Sequence, residues 1–204
     1  LSMLLDMTRL ESGVLTPHVQ SFKLDEILSP LIREFSIIAQ QKQLRLRYVP
    51  SDLAVISDKK LLKRILQNLI SNAIRYTASG SILIGARRKG HQVAICVLDT
   101  GPGIADHDRE LIFKEFSQLD TSEAKQGLGL GLTIVDRISR LLAHDISLSS
   151  ELGAGTCFCV TVDRELNPVQ IIQPSPAKRE KGHILNNKTI LVVENELQTR
   201  LAVT

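Results

Sequence analysis

Four polar residues at helical spacing open the question of chemistry. In the stretch from Leu61 to Thr77, Asn68, Asn72, Arg75 and Tyr76 share one face of a helix, and apolar residues at 62, 65, 66, 69, 70 and 73 fill the other. Neutral amide oxygens can ligate Mg2+ without adding charge, leaving the ion its waters and phosphate oxygens. Arg75 offers charge-assisted contacts to phosphate, and Tyr76 a ring for a base or sugar.

Two glycine-rich segments follow. In Asp99-Thr100-Gly101-Pro102-Gly103-Ile104 a carboxylate ends an apolar strand (Val93, Ile95, Val97), where it can accept an exocyclic amine. Gly101 and Gly103 permit close backbone approach to a ligand. In Gly127-Leu128-Gly129-Leu130-Gly131-Leu132 glycines precede a helix, whose free N–H groups and positive end suit phosphate. Leu132 stands where a dinucleotide fingerprint needs its last glycine, and the phosphate-loop motif with Gly-Lys-Ser/Thr is missing. His-Arg-Asp and Asp-Phe-Gly signatures are missing too. Singly, each segment reads as a solvated helix face or a turn. In this order they predict a nucleotide site of another kind.

The elements that must position these residues follow from pattern. Helices are predicted over 1–12, over 24–43 with Asp25 as N-cap and Pro30 kinking or restarting it, over 61–77 behind Ser57-Asp58, and over 128–142. Strands are predicted over 44–49, 81–86, 92–99, 145–150 and 156–162, with Lys89-Gly90 turning a hairpin. Residues 14–22 read as a connector, 105–125 as irregular, and 167–187, with three prolines, as a linker before an apolar run at 188–193.

The 204 residues suffice for one full domain with appendages. With 25 basic and 22 acidic residues the net charge is +3, too balanced for nucleic acid or an anionic membrane as main partner. Aromatics at 3% argue against base-stacking platforms. Cys96, Cys157 and Cys159 are odd in number and lack zinc spacing, so no disulfide framework is expected and a reducing cytoplasm fits. No apolar run approaches the about 20 residues that span a bilayer, and no signal peptide is visible. The chain reads as a fragment, and membrane anchoring is left to regions outside it.

The segments Asn68 to Thr77, Asp99 to Ile104, Ile112-Phe113-Lys114-Glu115-Phe116 and Gly127 to Leu132 resemble, in order, the N, G1, F and G2 boxes of sensor histidine kinases. The resemblance covers residues 22–163, including Gly153 to Phe158 before the last strand. It implies the catalytic, ATP-binding domain of the gyrase, chaperone and histidine-kinase superfamily: an α/β two-layer sandwich of helices on a mixed sheet, preceded by a helical stub. Carried over, Asn72 ligates Mg2+, Asn68 helps order water or metal, and Arg75 completes the catalytic set. Tyr76 contacts nucleotide, Asp99 reads the adenine amine, and Thr156 lies beside it. Gly101, Gly103, Ile104, Gly127, Leu128, Gly129, Leu130, Gly131 and Leu132 line the ATP site. Residues 105–127 form a lid anchored by Phe113 and Phe116.

Leu4 to Gly13 resembles the end of the second dimerisation helix, and Lys188 to Glu196 the first strand and acidic corner of a receiver domain, with Asn195 where a second acid is expected. This divides the chain into 1–13 (helix end), 14–22 (connector), 23–165 (catalytic domain), 166–187 (linker) and 188–204 (receiver-like start). The resemblance implies γ-phosphoryl transfer to a histidine outside this sequence, since none of its five histidines has the His-Glu/Asp-x-x-x-Pro setting. Implied partners are a histidine-bearing helical domain of the same protein, a receiver of its own or of a separate response regulator, and a second copy in a homodimer. Within the superfamily the alternatives are an ATPase, disfavoured because Asn68 cannot act as a base, a protein-serine kinase, and a nucleotide-binding module without transfer.

Overall fold

In the computed structural model, which describes residues 15–115, 117 and 129–166, these patterns become strands and helices in the order β1 (Val19–Lys23), α1 (Asp25–Gln41), β2 (Arg45–Tyr48), β3 (Ala54–Asp58), α2 (Lys59–Tyr76), β4 (Ser81–Lys89), β5 (Gln92–Asp99), α3 (Gly131–Leu141), β6 (Asp145–Glu151) and β7 (Gly155–Arg164), with 3-10 turns at Asp106–Asp108 and Leu111–Phe113. The dimerisation-helix end, the linker and the receiver-like segment lie outside the described residues.

The sheet runs β1-β3-β7-β5-β4-β2, with β6 also on β7. It is mixed: β2 pairs parallel with β4, and the other pairings are antiparallel. β5 and β7 lie at its centre, so both read as nearly continuous apolar runs. Their inward residues Val93, Ile95, Val97, Phe158, Val160 and Val162 meet the apolar faces of the helices in the core. Ala94, Cys96 and Cys159 point the other way and form a separate small cluster. The fold is therefore the expected two-layer α/β sandwich. Among the described residues no helix is long and apolar enough to cross a membrane.

Three local readings change. Residues 19–22, the end of the predicted connector, join Lys23 in an edge strand paired with β3, though four of the five strand residues are exposed, which masks the strand signal. Asp25 is not the N-cap of α1. Leu24 holds that place, and the Asp25 carboxylate instead accepts from Ser29 Oγ (2.8 Å) and Tyr48 OH. α1 continues through Pro30 without restarting. The cysteines also depart from expectation: the β5–β7 register sets Cys96 opposite Cys159, and the two form a disulfide, with Cys157 a free thiol.

Candidate functional site

α2 carries the first part of the site, and Asp58 fixes where it begins. The Asp58 carboxylate caps the helix by accepting from the N–H groups of Lys60 and Leu61 (2.9 Å each), and it also takes the His18 N–H at 2.7 Å. Leu62, Ile65, Leu66, Leu69, Ile70 and Ala73 bury against the sheet, which turns Asn68, Asn72, Arg75 and Tyr76 to the wall of one cavity. Asn68 is nearly buried and donates Nδ2 to the Arg64 carbonyl (2.9 Å), which leaves its Oδ1 toward α3. The Asn72 side chain has no hydrogen-bond partner among the described residues.

The sheet supplies the opposite wall. Asp99, the last residue of β5, pairs in register with Thr156 on β7. Burial pushes its carboxyl above the usual aspartate range, while the N–H groups of Gly101 (2.9 Å) and Thr156 oppose that shift. The two bonds also aim the carboxylate. Gly103 has φ +75°, and a Cβ there would sit 2.0 Å from the Glu151 carbonyl oxygen, so the turn packs on the β6–β7 connection only as glycine.

Ser150 joins these pieces. Its hydroxyl donates to Gly155 O (2.9 Å) and accepts the Ile104 N–H (2.8 Å). The bond to Thr156 Oγ1 (3.0 Å) must then use the threonine proton, leaving the Thr156 oxygen lone pairs for a ligand. Arg109 donates to the Ser150 carbonyl at 2.6 Å and pairs with Asp106.

α3 closes the third side. It starts at Gly131 without a side-chain cap, so its first N–H groups are left for an anion. A Cβ on Gly131 would lie 3.2 Å from Asn68 Oδ1, so the second glycine segment abuts the asparagine helix. The turn at Leu111–Phe113 is held to α3 by Thr133 Oγ1 donating to the Phe113 carbonyl (3.1 Å) and by an Arg137–Glu115 ion pair.

The cavity thus gathers Asn68, Asn72, Arg75, Tyr76, Asp99, Gly103, Ile104, Gly129, Leu130, Gly131, Leu132 and Thr156 from the predicted set. Gly101 stands behind the wall as the Asp99 donor. Phe113 packs edge-on against Phe158 (centroids 6.4 Å apart), and Phe158 does the lining. Phe116, Gly127 and Leu128 lie outside the described residues. Sequence reasoning missed Ser150, and also Thr77, which is fully buried beside Gly101 with its hydroxyl unpartnered. Thr77 ends a recognised segment and Ser150 precedes one, but nothing in one sequence marks a serine or threonine as inward-facing.

A cavity with a glycine-flanked carboxylate at one end and amides beside a bare helix N-terminus at the other defines a nucleotide-binding α/β sandwich. The family model described as histidine kinase-, DNA gyrase B-, and HSP90-like ATPase matches residues 57–166, and the chain belongs to that family. Among its relatives is the sensor-like histidine kinase SenX3 of Mycobacterium tuberculosis, 35% identical over 163 residues, which are 78% of this chain and 40% of SenX3. The structure of full-length ShkA in complex with AMPPNP aligns with TM-score 0.70 and 28% identity, covering 79% of this chain and 34% of that one. The catalytic domain of histidine kinase ThkA aligns at 0.64 and 26%, covering 72% of this chain and 96% of that domain. The described domain is thus of the sensor histidine kinase type, and the chain spans about 40% of the length of SenX3.

Proposed function

We propose that this chain binds ATP with Mg2+ and transfers the γ-phosphoryl to a histidine on a helical domain of the same protein. The observation that carries this reading is the convergence of Asp99, Thr156, Asn68, Asn72 and the uncapped start of α3 on one cavity. Adenine lies at the Asp99 end, its exocyclic amine donating to the carboxylate and Thr156 beside it. The phosphates run toward Gly129 and Gly131, where backbone N–H groups receive them, and Arg75 contributes charge. Asn72 fits a hard cation: a neutral oxygen donor without a protein partner, at the cavity wall beside the anion-receiving helix start. Mg2+ held there would neutralise charge on the phosphates. What the chain itself does is position and exclude water, which is most of what phosphoryl transfer asks of a protein.

We further propose the roles assigned to Phe116, Gly127 and Leu128 at the lid, with 23–165 as the catalytic unit. This region is read as cytoplasmic, with any membrane anchoring left to other parts of the parent, and the parent as a homodimer that passes phosphate to a receiver. Support for the receiver is the resemblance of Lys188 to Glu196.

Calorimetry with ATP or a non-hydrolysable analogue, with and without Mg2+, tests the reading. Wild type is expected to bind in the micromolar range, about −8 kcal/mol. Asn72→Ala is expected to lose the Mg2+-dependent part. Absence of binding by wild type overturns the proposal.

A further inference from the structure

The sheet face turned away from the helices carries a sulfur cluster that the nucleotide site does not use. All three cysteines of the chain are in it. β5 and β7 set Cys96 opposite Cys159 and Leu98 opposite Cys157. Side chains alternate faces along a strand. Val97 and Phe158 enter the core, so Cys96, Cys157 and Cys159 all leave on the other side. Their Sγ atoms lie within 4.8 Å of one another, with Cys157 3.6 Å from Cys159. Flanking positions in the same rows are small: Gly85 on β4 faces Cys96, and Ser147 and Ser149 on β6 face Cys159 and Cys157. Cys96 and Cys159 are 8% exposed and Cys157 is half-buried, so an ion can reach the cluster from the Cys157 side.

Two central strands thus hold three cysteine sulfurs, one disulfide and one free thiol, with no oxygen or nitrogen ligand among them. A tetrahedral zinc centre with Zn–S of about 2.3 Å places its sulfurs about 3.8 Å apart. The Cys157–Cys159 separation already matches. Cys96 and Cys159 need only side-chain rotation once their bond is opened. An all-sulfur donor set selects thiophilic ions over Mg2+.

We propose that Cys96, Cys157 and Cys159 form a binding site for one thiophilic divalent ion, Zn2+ by preference, of which the Cys96–Cys159 disulfide is the oxidised, closed form. Opening takes two electrons and two protons from a dithiol, which leaves as its own disulfide while the Cys96–Cys159 bond becomes two thiols. Binding then releases three protons to solvent as three Zn–S bonds form, and the fourth position stays open to water. The positive charge of Arg87 on β4 favours the Cys157 thiolate, and the negative charge of Asp99 opposes it. The site stands independently of the nucleotide reading.

The full chain, reduced with a dithiol, stripped by chelator and desalted without oxygen, is titrated with Cd2+ alone and then with Zn2+ alone. No nucleotide is present. Cadmium–thiolate charge-transfer absorption and native mass spectrometry give the readout. Saturation at one ion per reduced chain is expected, with none bound by the oxidised chain. Cys157→Ser keeps the disulfide pair and so keeps the fold, which its unchanged melting temperature before reduction will verify. It is expected to weaken binding by at least about 100-fold, since losing a direct ligand costs no less than losing an outer-shell partner of one. A reduced wild type without a saturable equimolar end-point overturns the proposal. So does a Cys157→Ser chain that binds as tightly as wild type.

Discussion

Asp99 serves two opposed demands, and that makes it the sharpest single-residue test of the site. Burial raises its pKa above the ordinary 3.8, while the Gly101 and Thr156 N–H groups pull the other way without winning. The folded state therefore holds its proton more tightly than the unfolded chain. Stability falls as pH rises between the unfolded and folded values, and above both the ionised carboxylate is a constant cost. Asp99→Asn keeps an acceptor for Gly101 and removes the charge. At pH 8 the ligand-free variant is expected to melt above wild type while binding ATP at least about 100-fold more weakly, since an amide cannot match a carboxylate toward the adenine amine. Calorimetry and a thermal melt on the same sample check both signs. A melting temperature below wild type would mean that Asp99 is structural rather than a stored binding group. Ser150 gives the complementary case. Ser150→Ala strips partners from the Ile104 N–H, the Gly155 carbonyl and the Thr156 hydroxyl, and is expected to cost about 1–3 kcal/mol in urea unfolding.

At the level of elements, two helices end alike. After α1, Gln43 has φ 58°, with N–H bonds from Gln43 to Gln40 O and from Leu44 to Ala39 O. After α3, Ala143 has φ 54°, with bonds from Ala143 to Arg140 O and from His144 to Ser139 O. Both are left-handed C-terminal motifs at positions that favour glycine. Ala143→Gly removes the Cβ strain, and after the entropy glycine adds to the unfolded chain a net gain of about 0.5–1 kcal/mol is expected. A shift of the urea midpoint to lower values contradicts that account. These ends also show what a single sequence conceals. α2 was legible because its apolar positions repeat at helical spacing and Asp58 caps it. β5 and β7 were legible because central strands are apolar on both faces. Without glycine, the two helix stops carried no signal. Asp25 looks like a cap in sequence, but its carboxylate is claimed by Tyr48, 23 residues away. Asn68, Asn72, Asp99 and the glycines stand out through amide placement and glycine spacing, whereas Thr156 enters only through the resemblance to histidine kinases. Ser150 and the cysteine pairing, 63 residues apart, exist only through strand register.

For the whole molecule, the cavity is not a pocket within one element but the place where α2, the end of β5, β7 and the start of α3 converge. A ligand that touches all four couples its binding to the global fold. Nothing of the site survives unfolding, so binding adds RT ln(1 + [L]/Kd) to stability, about 2.7 kcal/mol at one hundred times Kd. For a folded unit of roughly 150 residues each kcal/mol moves the midpoint by about 2–4 °C, which gives an expected rise of about 5–10 °C with saturating ATP and Mg2+. The rise should fall by most of its size in Asn72→Ala and to about 1–2 °C or less in Asp99→Asn. Ala143→Gly, whose residue is outside the cavity lining, should start from a higher midpoint and show the full increment. A ligand seated at the surface of one element would lack the same dependence on α2 and β5 together. If the Asn72 and Asp99 variants retain the wild-type increment, ATP is bound elsewhere, and the convergence of these four elements serves packing alone.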